Sequence, residues 1–126
     1  MKNTILSIGL FIILFICLFF ADKSLVSTCN EIYVKCEEIE ISLNTKDDDK
    51  AYTQSVALLR FIEKEGCIAS IYVNHVDYDF LINESLRLSI YIKEKDYSEA
   101  LSSVHVLRYG SRNMKDIQKT NLKNLL

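Results

Sequence analysis

Beyond the apolar start of the chain, the residues with the widest chemical range are Cys29, Cys36, Cys67, His75 and Asp79. Zinc takes thiolate sulfur and imidazole nitrogen tetrahedrally, so the donor types suit a metal. Their spacing does not. Cys29 and Cys36, seven apart on one helix, stand about 10 Å from each other, too far to share an ion. No Cys-x-x-Cys pair is present, and neither a metal nor a cofactor is expected. His75 and Asp79, four apart, share a helical face and form a polar patch candidate. No strongly specified nucleophile, second histidine or phosphate-binding glycine loop joins them, which leaves a small enzyme a distant third reading. Asp47-Asp48-Asp49 lacks the central glycine and terminal glutamate of a calcium loop and reads as a capping turn. Asn83-Glu84-Ser85 fits a glycosylation acceptor, a pattern short enough to recur by chance.

The elements that carry these residues begin with an apolar run. Ile5 to Ala21 is broken only by Ser7 and Gly9 and follows Met1-Lys2-Asn3-Thr4. As a helix it reaches about 26 Å, close to a hydrocarbon core. It ends in Phe19-Phe20-Ala21-Asp22-Lys23, which puts a bulky Phe where a cleavage site needs a small residue. Residues 1–21 therefore read as a membrane anchor or uncleaved signal-like segment, and 22–126 as one helical extracytoplasmic domain. Lys2 and the terminal amine bias the N-terminus toward the cytoplasm of a single-pass protein of the cell membrane. From Asp22 onward 17 acidic residues face 14 basic ones, a balance that argues against nucleic acid as a partner.

Absence of proline and a scarcity of glycine in this region favour long helices. Leu25, Cys29, Ile32, Cys36, Ile39 and Leu43 alternate steps of four and three, the seam of a helix over about 24–43 that can continue straight out of the membrane segment. A second helix is expected over 50–65, burying Ala51, Val56, Leu59 and Ile62, widened by Leu58 or Phe61, with Gly66 as its stop. A third is expected over 68–93, on Ile71, Tyr78, Ile82, Leu86 and Ile92, loosened at Asn74-His75. A fourth, over 97–122, uses Leu101, Val104, Leu107, Met114, Ile117 and Leu125. The fold class is all-α: an antiparallel four-helix bundle, or two stacked helical hairpins, after an N-terminal transmembrane helix. The hairpin reading comes from Ser55–Phe61, which matches Ser103–Tyr109 at an offset of 48. A hairpin turning near Lys46 sets Cys29 nearer to Cys67 than Cys36 is, so Cys29–Cys67 is the preferred disulfide pair, against a state in which all three are core thiols.

Thr28-Cys29-Asn30-Glu31, Asn74-His75, Leu86-Arg87-Leu88-Ser89-Ile90-Tyr91-Ile92-Lys93 and Asp96-Tyr97-Ser98-Glu99-Ala100-Leu101 carry a family resemblance. With the apolar start, the chain resembles short clostridial and bacillar proteins of unknown function. The likeness spans nearly all of it and implies an N-terminal membrane segment and an all-helical exterior. It implies no activity.

Arg108, Arg112, Lys115, Lys119 and Lys123 form a basic stripe on the last helix, opposed after residue 101 only by Asp116. The first helix is acidic through Glu31, Glu37, Glu38 and Glu40. These faces either attract each other or offer the basic stripe to lipid headgroups or to an acidic partner. Exposed tyrosines among Tyr52, Tyr72 and Tyr97 would add to a protein-binding face. The function expected is a membrane-tethered helical interaction module, partnered by a membrane or envelope protein and by the bilayer. The alternative is a structural envelope protein that self-associates.

Overall fold

A computed structural model describes the backbone of residues 1–69 and 75–125, and the side chains of 1–66, 76–120 and 123–124. It contains α1 (Lys2–Asn44), α2 (Asp48–Ala69), α3 (His75–Lys93) and α4 (Tyr97–Leu125), and no strand among the described residues. Each helix packs on its neighbours in sequence, and α4 closes the ring against α1, which makes an antiparallel four-helix bundle.

α1 is continuous from Lys2 to Asn44, so no linker separates its apolar half from the bundle. The halves differ in cover. From Leu25 onward its seam is buried, with Ile32, Cys36 and Ile39 fully enclosed. Before that the side chains stand open, from Phe15 at 47% exposure to Ile5 at 71%. No protein surface covers this run, and each such side chain gains roughly 1.5–3 kcal/mol on leaving water. It is the one helix among the described residues long and apolar enough to cross a membrane.

Two hairpin turns fix the bundle, and they are copies of each other. Lys46 donates its N–H to Leu43 O and Asp47 to Ser42 O; Lys95 donates to Ile92 O and Asp96 to Tyr91 O. Lys46 and Lys95 hold φ of 58° and 60°, the left-handed residue that ends a helix in this pattern. Asp47 and Asp96 then accept from the N–H of Lys50 and Glu99 as N-caps of the next helix. The offset is 49, and the core obeys it: Ile32, Cys36, Ile39 and Leu43 correspond to Leu81, Ser85, Leu88 and Ile92, all buried. Ala51, Ser55, Leu58 and Ile62 likewise correspond to Ala100, Val104, Leu107 and Ser111. The offset of 48 read from the sequence is thus one residue short. At the turn end, equivalent positions meet: the Tyr97 hydroxyl donates to the Asp48 carboxylate at 2.8 Å, and Lys46 Nζ lies 5.4 Å from the Tyr97 ring centre.

Several sequence expectations need correction. α2 does not stop at Gly66 but runs to Ala69, and Gly66 serves packing instead. A Cβ there would stand 2.6 Å from Cε1 of the buried Tyr78, whose hydroxyl donates to Ile62 O at 2.6 Å. The buried stripe of α2 centres on Ser55 and Leu58, leaving Val56 and Leu59 half-buried. Serine fits there because its hydroxyl turns back to Tyr52 O, leaving a small surface for close helix approach. Leu86 and Ile117 are exposed, at 46% and 48%. α3 begins at His75 rather than near Ile68. The expectations for Ile71, Tyr72, Asn74 and the Leu125 side chain lie outside the described residues.

Candidate interaction groove

Of the sequence candidates, the basic stripe divides in two. Arg108 turns inward: Nη1 donates to Glu40 at 2.6 Å, Nη2 to the Tyr33 hydroxyl at 3.1 Å, and its guanidinium lies 4.9 Å from the Tyr33 ring centre. The Tyr33 hydrogen bond, with Glu40 and Glu37 beside it, pushes the Arg108 pKa up further. This group fastens α4 to α1 and is not open to a partner. Lys115 donates to Asn30 Oδ1 at 2.9 Å and adds a second fastening. Arg112, Lys119 and Lys123 are exposed. Between the two fastenings lies a small cleft of about 390 Å³ lined by Cys29, Asn30, Tyr33, Ser111, Arg112 and Lys115.

Cys29 and Cys36 are buried free thiols. Burial pushes their pKa up to about 11 and about 12, so neither is a nucleophile at neutral pH. The Cys67 side chain lies outside the described residues, and with it the Cys29–Cys67 pair. The His75 side chain is likewise not described, whereas Asp79 is exposed on α3. Among the described residues no cluster of donors fits a metal ion.

A larger cleft lined by bundle residues is one the sequence did not reveal. It measures about 550 Å³ and runs between α3 and α4, with Phe80, Leu81, Val106, Tyr109, Met114 and Ile117 supplying its apolar wall. Asp77, His105 and Asn113 stand at its polar rim. Phe80, Tyr109 and Ile117 are 47%, 73% and 48% exposed. Gly110 admits Leu81 and Phe80 to close contact with α4: a Cβ there would lie 3.2 Å from Leu81 Cδ2 and 3.7 Å from Phe80 Cε1.

The repeat shows how the two hairpins differ at this groove among the described residues. At the offset of 49 Gly110 corresponds to Phe61, Phe80 to Glu31, Tyr109 to Arg60 and Asn113 to Lys64. In the first hairpin Phe61 packs half-buried against the core, and Lys35 Nζ lies 5.4 Å from its ring centre. Charged residues surround that site. In the second hairpin the ring is missing and the wall is aromatic and aliphatic. Alignment at 48 pairs Phe61 with Tyr109, which conceals the exchange. The signal was therefore present, one residue out of register.

Residues 19–125 match a family described as a domain of unknown function, DUF4363. The chain belongs to this family. No curated protein and no solved structure matches it. The match takes in the whole bundle and the last residues of the apolar run, so the groove and both fastenings of α4 fall within the DUF4363 domain.

Proposed function

We propose that this chain is a membrane-tethered interaction module that receives a helix of another membrane protein in the groove between α3 and α4. One observation carries this reading: the position held by Phe61 in the first hairpin is Gly110 in the second, where Leu81 and Phe80 come in close and line an apolar cleft open to solvent. The first hairpin indicates what fits, an aromatic or large aliphatic side chain borne on a helix. From Ser102 to Ile117 the α4 wall is about 22 Å long, room for roughly four turns of a partner helix. Mechanism here is positional. A span leading directly into α1 holds the groove near the bilayer and raises its effective concentration toward a partner in the same membrane. No bond is made or broken.

The test replaces Tyr109 with a photoreactive residue in the full-length protein and irradiates native membranes. One partner crosslinked in near-stoichiometric yield is expected. Phe80→Glu with Ile117→Glu should reduce that yield at least ten-fold. Both positions are about half exposed, so stability should change by only about 0.5 kcal/mol each. Gly110→Phe, which places the first hairpin's residue in the second, should reduce it as well. Crosslinks to the chain itself alone would make this a self-associating structural protein, and an undiminished yield in the glutamate variant would remove the groove from the binding surface.

A further inference from the structure

α4 runs beside α1 to the end of the bundle where α1 continues as its apolar segment. Arg108 meets Glu37 and, seven residues on, Lys115 meets Asn30, seven residues back along α1. In that antiparallel register Lys119 is level with Val26 and Lys123 with Asp22. The apolar run ends at Ala21, so Lys123 lies about 2 Å and Lys119 about 8 Å beyond its end along the axis. Lys23 belongs to the same layer. Offset 49 sets the last residue of α2, Ala69, level with Gln118 and the first of α3, His75, level with Val26.

This layer is basic. Lys23, Lys119 and Lys123 are exposed, and among the described residues none pairs with a carboxylate. The acid beside them, Asp22, is half-buried, with Oδ1 enclosed and unpartnered. Asp116, Asp77 and Asp79 are exposed but stand level with residues 28–30, two turns or more from the end of the run. At physiological salt, charges act over about 8 Å, which admits the three lysines and excludes Arg112. Long lysine stems extend that reach.

We propose that Lys23, Lys119 and Lys123 form a contact for anionic lipid headgroups, which holds the end of α4 against the bilayer that α1 enters. This rests on the membrane reading of α1 but not on the groove. The contact is with the headgroup layer, matched by charge, and gives the bundle a second point of attachment besides its span.

Hydrogen exchange of the full-length protein in nanodiscs tests it. In discs of zwitterionic lipid alone the backbone of 117–125 should exchange freely. With a third of the lipid replaced by phosphatidylglycerol, exchange should slow on the order of ten- to hundred-fold, the effect expected of two or three lysines at an anionic surface. The slowing should vanish in Lys119→Gln with Lys123→Gln, a pair of exposed substitutions that leaves the core untouched, and in about 0.5 M salt. Equal exchange in both discs, or equal slowing by free phosphate in zwitterionic discs, would overturn the headgroup contact. Residues 5–20 report separately: rapid exchange there in both discs would mean that α1 is not embedded, and the membrane reading itself would fall.

Discussion

Cys29 and Cys36 sit two turns apart on the α1 seam, and their fate in the fold is set by burial rather than by neighbours. A thiol whose ordinary pKa is 9.0 rises to about 11 at Cys29 and about 12 at Cys36, against the lowering effects of Lys115 and Arg108. The folded state therefore keeps both thiols neutral at a pH where the unfolded chain ionises them. Their contribution to stability is complete below pH 9 and is lost as pH rises through the folded values. At pH 10 the loss is on the order of 1 kcal/mol for each thiol. Tyr97 works in the same direction at higher pH, since its hydrogen bond to Asp48 raises its pKa above 10.0. Urea unfolding under reducing conditions should show the midpoint falling from pH 9 to 10.5, and falling less steeply in Cys36→Ala. That variant starts lower at neutral pH because it leaves a small cavity. An unchanged slope would mean that water reaches this part of the seam. The seam itself was legible in the sequence, because cysteines spaced like leucines and isoleucines pack like them. The inward turn of Arg108 was not. Attraction between the basic stripe and Glu37 and Glu40 was one reading of the sequence, but the spacing of Arg108, Arg112 and Lys115 gives no sign of which one turns in, or that Tyr33 lies opposite.

At the scale of elements, each turn ends its helix with a lysine in the left-handed region, where a Cβ costs about 1 kcal/mol and glycine pays nothing for sterics. Lys95→Gly should raise stability by up to about 0.5 kcal/mol after the entropy lost by glycine is counted. Lys46→Gly removes the same strain but also the ammonium over the Tyr97 ring, an interaction of about 0.5–1 kcal/mol at exposed sites. Thermal unfolding should rank Lys95→Gly above Lys46→Gly, and the reverse order would show that the Lys46–Tyr97 contact adds nothing. These turns show why boundaries were harder to read than helices. Asn44 to Asp49 and Lys93 to Asp96 are polar and were placed correctly, but neither contains the glycine that usually marks a stop. Gly66 was read as that stop, and the helix passes through it because the missing Cβ admits Tyr78. Periodicity alone also misjudged the faces by about one position: Val56 and Leu59 flank the buried stripe whose small members are Ser55 and Ala51. Buried serines are invisible to a search for apolar residues, yet they let helices approach.

For the molecule as a whole, the decisive feature is that α1 belongs to both the apolar segment and the bundle. With Lys2–Asn44 one uninterrupted helix, the direction of the groove is tied to the rotational phase of the span. Each inserted residue turns one part against the other by about 100° and lifts the bundle by about 1.5 Å. Two alanines placed after Ala21 would rotate the groove by about 200°, almost to the opposite side, for a lift of about 3 Å. Four would bring it back to within about 40° while lifting it about 6 Å. A partner fixed in the same membrane should therefore crosslink at Tyr109 better with four inserted residues than with two, although the groove then stands higher. Steady decline with length would mean that only height matters. Indifference to both insertions would mean that the segment between the span and Leu25 bends freely, and that the tether supplies proximity without orientation. The headgroup contact proposed for α4 would make the opposite demand, since lifting Lys119 and Lys123 would weaken it at every length. The two measurements on one set of variants thus separate orientation, carried by α1, from the second attachment carried by α4.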